Sequence, residues 1–187
     1  MDTDNNLSRE IRKEFFAFRN GIVADKLRKA GDPHPMIMGC LLVDLAGIAQ
    51  RVRETVGDKE QLVALASELW NDTNSRECRL AAPMLYPADM MTPETALQWC
   101  QTVESTEVAD NLCHKLLRNI DGSDELMRLL VSDARPLVKY TGYRLLLNLL
   151  LLDKAQPTAQ LQLIISNEAQ HAHGALAALL QDLLEEF

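Results

Sequence analysis

Residues 69–87, LWNDTNSRECRLAAPMLYP, and residues 92–119, TPETALQWCQTVESTEVADNLCHKLLRN, decide how the whole chain is read. In the first, NDTNS is a turn whose Ser75 is placed to cap a helix from Arg76 to about Leu85, stopped by Tyr86 and Pro87. In the second, Thr92 before Pro93 is a strong helix start, because threonine takes up a free amide and proline is preorganised for the first helical position. That helix runs to about Val103, and Ser105 or Thr106 opens another that ends near Asn119. It carries Asp110, with His114 and Arg118 one and two turns further on, so three ionisable groups share a stripe on an otherwise apolar helix. Such a stripe is either a solvated salt-bridge ladder or a carboxylate set among cations for chemistry.

The helical period extends outward in both directions. Upstream, Ser8 reads as the N-cap of a helix whose apolar residues Ile11, Phe15, Phe16, Phe18, Ile22, Val23 and Leu27 continue to Gly31, with Gly21 a weak point in its middle. GDPHP breaks the chain, Leu42 to Val56 is helical up to Gly57, and Lys59 to Trp70 forms the next helix. Downstream, Ser123 reads as the cap of a helix from Asp124 to Val131, and Pro136 opens a longer one to Leu152. Pro157 or Thr158 starts a further helix, and an amphipathic one covers about Gln170 to Glu186. Polar and apolar residues do not alternate over four or more positions, so no strand is expected.

Helices beginning near residues 59, 93, 123 and 157 stand about 30 to 34 residues apart, with two helices in each interval. This is the cadence of helical-hairpin repeats, in which one pair cannot bury its apolar face and stacked neighbours complete the core. The tryptophan and glycine pattern of tetratricopeptide units is missing. The expected fold is all-α: a HEAT-like helical-repeat solenoid of about ten helices in antiparallel pairs, one domain over residues 1–187, with an irregular helical bundle as the alternative.

A chain of 187 residues with 47% hydrophobic content can bury a sizeable core. Its formal charge of -8 repels a polyanion at long range, so nucleic-acid binding needs a local basic surface. The charge is uneven: residues 1–31 hold seven Lys or Arg against five acids and residues 114–144 six against four, whereas residues 32–113 hold five against thirteen. Residues 145–187 hold one against five. Cys40, Cys78, Cys100 and Cys113 form no CxxC pair and sit among apolar residues, which predicts reduced, buried thiols in a cytoplasmic protein. The opening MDTDNNLSREIRKEFF lacks the apolar core of a secretory signal. Leu145–Leu152 holds seven leucines in eight positions, too short to cross a bilayer and suited to a helix buried on most sides. His171 and His173, placed on a helix, point about 200° apart and cannot chelate one ion, so no metal is expected, and no GxSxG, P-loop, GxGxxG or HExxH pattern occurs, so no cofactor is expected.

The central stretch resembles the AlkD-like DNA alkylation repair family. The matching features are Leu69-Trp70 closing a helix, the Glu77-Cys78-Arg79 triplet, Trp99, the segment Ser105-Thr106-Glu107-Val108-Ala109-Asp110, and the helix within residues 132–149; together they span about residues 40–155. The resemblance implies HEAT-like repeats that contact duplex DNA and release N3- or N7-alkylated purines without a base-flipping pocket. It implies one carboxylate beside the sugar, carried over to Asp110, that stabilises the positive charge developing as the glycosidic bond breaks. Thr106 stands where the family carries a tryptophan, Leu137 replaces an aromatic, and Tyr140 aligns with the family's arginine, leaving Lys139 as its nearest cation.

Arg79, Lys115, Arg118, Lys139, Tyr143 and Arg144 are the expected contacts to the phosphate backbone, with Arg128 able to join them if repeats stack in order. The rival expectation is a non-catalytic scaffold that binds a protein or peptide, favoured by the net charge of -8, Thr106 and Tyr140.

Overall fold

The structure, a computed structural model, describes residues 2–187, with side chains from residue 7 onward. Met1, which opens the segment read for a secretory signal, lies outside the described residues. Among the described residues the regular structure is helical, as the period predicted; the single β-type contact is an isolated bridge between Met36 and Ser75. The helices are α1 (Asp2–Ala17), α2 (Gly21–Lys29), α3 (Leu42–Val56), α4 (Lys59–Asn71), α5 (Arg76–Leu85), α6 (Pro93–Gln101), α7 (Thr106–Lys115), α8 (Ser123–Val131), α9 (Pro136–Leu151), α10 (Ala159–Ala169) and α11 (Gly174–Leu184). Short 3-10 turns cover Ala88–Met90 and Leu117–Asn119. The chain divides into two compact units, Met1–Met91 and Thr92–Phe187.

In the first unit α5 is the buried element: all ten of its residues are buried, and it packs on α3 and α4. Ser75 caps it as expected, its hydroxyl accepting from the Cys78 amide at 3.4 Å. Glu77, fully buried, accepts from the amides of Met38 (3.0 Å) and Gly39 (2.9 Å) and pairs with Arg76 at 2.9 Å. Arg76 also donates to the Cys40 carbonyl, so an ion pair inside the core staples the incoming loop to α5. Gly39 makes this loop possible: its φ is +79°, and a Cβ there would lie 2.2 Å from the Asn20 carbonyl oxygen.

The start of this unit differs from expectation. Ser8 is buried within α1 and donates to Glu68 at 2.6 Å instead of capping a helix. The single helix expected up to Gly31 is two, because Asn20 accepts from the Val23 amide at 3.2 Å and restarts the chain as α2. Gly21 is therefore the first residue of a helix and not a weak point inside one.

In the second unit α9 is the central element, packed by α6, α7, α8 and α11. Consecutive pairs α8–α9 and α10–α11 are joined by contacts one helix further on, α6 to α8, α7 to α9 and α9 to α11. This is how hairpins stacked on one another share a core. Leu145, Leu146, Leu147, Leu149 and Leu150 are buried in it, while Leu151 and Leu152 emerge at its end. Gly142 lets α8 approach: a Cβ there would lie 2.6 Å from the Val131 amide nitrogen and 2.8 Å from Leu130 Cβ. Thr92, Ser105 and Thr158 cap α6, α7 and α10 through their hydroxyls. Gly122, at φ +73°, occupies the cap position of α8, so Ser123 is its first helical residue and not its cap. The closing helix begins at Gly174, later than expected. His171 and His173 consequently lie in the connection between α10 and α11, where the helical argument about their directions does not apply.

All four thiols are buried and free. Burial pushes the Cys78 thiol up to about 11 and the Cys40 thiol up to about 12, so neither is a nucleophile near neutrality. No helix among the described residues is long and apolar enough to cross a membrane.

Candidate functional site

Asp110 is brought into its site by the capped start of α7. The Ser105 hydroxyl accepts from the Val108 amide at 3.2 Å, and Val108, Ala109, Leu112 and Cys113 are buried toward the core. That fixes the helical phase and leaves Asp110 at the margin of the packed face, its side chain 37% exposed. Across from it stands α9. The Tyr140 hydroxyl donates to Asp110 Oδ1 at 2.9 Å, and Arg144 Nε lies 3.2 Å from the same oxygen. Burial pushes the Asp110 carboxyl above the ordinary aspartate range; the Tyr140 hydroxyl and the Arg144 charge pull it back, and Glu107 adds to the rise.

The cation beside Asp110 is thus Arg144, one turn beyond Tyr140. Lys139, expected as the cation next to the Tyr140 position, pairs with Glu168 of α10 at 2.8 Å. Although Tyr140 stands where an arginine was expected, the carboxylate has a guanidinium beside it. Sequence reasoning missed Tyr140 as a partner of Asp110. The signal lay in the repeat: Tyr140 and Arg144 follow Asp110 at the same interval of about 30 to 34 residues that separates successive hairpins, which puts equivalent positions on stacked helices.

The stripe Asp110, His114, Arg118 is shorter than expected. α7 ends at Lys115, and Arg118 lies in the 3-10 turn that follows. His114 is exposed; partial burial and the neighbouring charges of Arg118, Lys115 and Arg144 hold its pKa below the ordinary imidazole value, against a hydrogen bond to Asn148 that raises it. Lys115 is exposed and Arg118 half-buried.

Two expected phosphate contacts are committed to packing. Arg79 is 1% exposed, its guanidinium carbon 3.7 Å from the centroid of the Trp70 ring and its Nη1 donating to the Trp70 carbonyl at 2.6 Å. Tyr143 is 2% exposed, and burial pushes its phenol up to about 12. Arg128 pairs with Asp124 one turn away at 3.6 Å. No group of three or more metal-ligating side chains occurs among the described residues.

The helices of the second unit thus form an all-helical packing that holds the Asp110 carboxylate between the Tyr140 phenol and the Arg144 guanidinium. The family model for DNA alkylation repair enzymes matches residues 11–177, and the chain belongs to that family. No curated protein and no solved structure matches the chain. The family places the protein in DNA alkylation repair.

Proposed function

We propose that the protein binds duplex DNA and excises N3- or N7-alkylated purines, with Asp110 as the carboxylate that stabilises the transition state. The observation carrying this reading is the placement of Asp110, open to solvent on one side and held by Tyr140 and Arg144 on the other. An alkylated purine already bears a positive charge. As the C1′–N bond breaks, its electron pair passes to the base, which leaves neutral, and the charge moves to the sugar. A carboxylate facing C1′ in a partly desolvated site stabilises that oxocarbenium-like state. Water then adds to C1′ and gives up a proton to solvent. Lys115, Arg118 and Arg144 supply the backbone contacts in this reading.

The test is release of free base from duplex containing 7-methylguanine or 3-methyladenine. The unmutated protein is expected to release it, and Asp110→Asn to lower the rate by at least about 100-fold, the scale of removing one preorganised charge partner. Intact 7-methylguanine in the presence of the unmutated protein ends the enzymatic reading.

A second reading is a non-catalytic scaffold for a protein or peptide. It is favoured by the loss of Arg79 and Tyr143 to packing and of Lys139 to its pair with Glu168, which together reduce the free positive charge in a chain of net charge -8. Absence of duplex affinity even at low salt, where the electrostatic attraction is largest, selects this reading.

A further inference from the structure

The two groups that meet Asp110 both approach a single oxygen. Tyr140 donates to Oδ1 at 2.9 Å and the closest approach of Arg144, through Nε, is 3.2 Å to the same oxygen, while among the described residues no hydrogen bond is made to Oδ2. The Asp110 side chain is 37% exposed, and its carboxylate is anchored through Oδ1. Tyr140 is the better anchor of the two. Its ring is 7% exposed and sits in α9, the central helix of its unit, so its hydroxyl has a fixed position, whereas the Arg144 side chain is 31% exposed and has the longer approach.

We infer that Tyr140 is a positioning residue for the reaction proposed above: its hydroxyl fixes Asp110 through Oδ1, so that Oδ2 is the oxygen presented to the sugar. The inference rests on that reading but adds a residue that touches neither sugar nor base. A phenol donor at this place does two things. It holds the carboxylate in one rotamer, which a solvent-facing aspartate otherwise leaves among several. It also stabilises the charged form, opposing the burial that favours the protonated one. The groups facing Asp110 are Tyr140 and Arg144 from α9 and Glu107 from its own helix, with Cys113 on its inner side. Of these, Tyr140 alone is a neutral group that donates to Asp110, and its hydroxyl can be removed without changing the net charge.

The experiment compares the unmutated protein with Tyr140→Phe in two measurements. In the first, single-turnover release of 7-methylguanine is followed against pH. Loss of one hydrogen bond to a charged group is expected to lower kcat roughly 10-fold with KM unchanged. The carboxylate is the active form, so activity falls as pH drops through its pKa; without the phenol the protonated form is favoured further, and this acid limb moves to higher pH. In the second, the Asp110 carboxyl is titrated directly by carbon NMR in the free protein, and its pKa is expected to rise in Tyr140→Phe. A variant with unchanged kcat, an unmoved acid limb and an unmoved Asp110 titration overturns the inference. If the unmutated protein releases no base, the catalytic reading fails on its own, and the NMR titration still decides whether Tyr140 holds the Asp110 carboxylate in its charged form.

Discussion

Arg79 carries a full charge and is 1% exposed, which is tolerable because the guanidinium face lies on Trp70 and one of its nitrogens donates to the Trp70 carbonyl. In sequence it is one cation among many near a candidate DNA-binding segment, and nothing in its neighbours marks it as internal. The contact that consumes it comes from a residue nine positions earlier, across the turn between α4 and α5. Arg79→Ala removes a desolvated cation-π contact and a charged hydrogen bond and leaves a cavity, so it is expected to cost about 3 kcal/mol in urea unfolding. Duplex affinity of the folded variant is expected to be unchanged; a tenfold weakening would return Arg79 to the binding surface. Asp110 shows the opposite outcome. Its identity as the candidate carboxylate came from the sequence, whereas its partners Tyr140 and Arg144 were settled by which turn of α9 faces α7.

At the scale of elements, local chemistry was legible wherever a cap or a proline marked a boundary. Ser75, Thr92, Ser105 and Thr158 each accept a hydrogen bond from an amide two or three residues into the following helix, and these starts agree with expectation. Boundaries went astray where an apolar periodic run concealed a break. Phe16, Phe18, Ile22 and Val23 read as one continuous stripe, but Phe16, Phe18 and Ile22 are exposed, and the stripe is cut where Asn20 restarts the helix. Gly142 carries a different lesson: inside a helix it reads as a small propensity cost, yet it sits where α8 backbone approaches α9. Gly142→Ala is therefore expected to destabilise by about 1–3 kcal/mol through overpacking, instead of stabilising by relief of the glycine penalty. The midpoint of thermal or urea unfolding decides the sign.

For the whole molecule, charge is the quantity that governs a DNA partner. The net charge of -8 opposes a polyanion, so duplex binding depends on the few cations left free after packing and internal pairing. With Lys115 and Arg118 as the contacts not engaged in an ion pair, log Kobs is expected to fall against log salt with a slope of about -2, and Lys115→Ala to reduce it by about 1. A slope near zero would remove the phosphate-contact assignment, and one twice as steep would require cations elsewhere. The all-helical class, the paired helices with their spacing of about 30 to 34 residues and most caps were determined by the sequence itself, since each rests on interactions within a few residues or on a repeat visible along the chain. Tertiary structure alone decided that Glu77 pairs inside the core, that Arg79 and Tyr143 are spent on packing, and that Tyr140 and Arg144 share one oxygen of Asp110. The physical reason is the same in each case: whether a polar side chain binds a ligand or a neighbour depends on which groups meet it from helices distant in sequence, and a free-energy difference of a few kcal/mol at that contact leaves no local trace in the residues that make it.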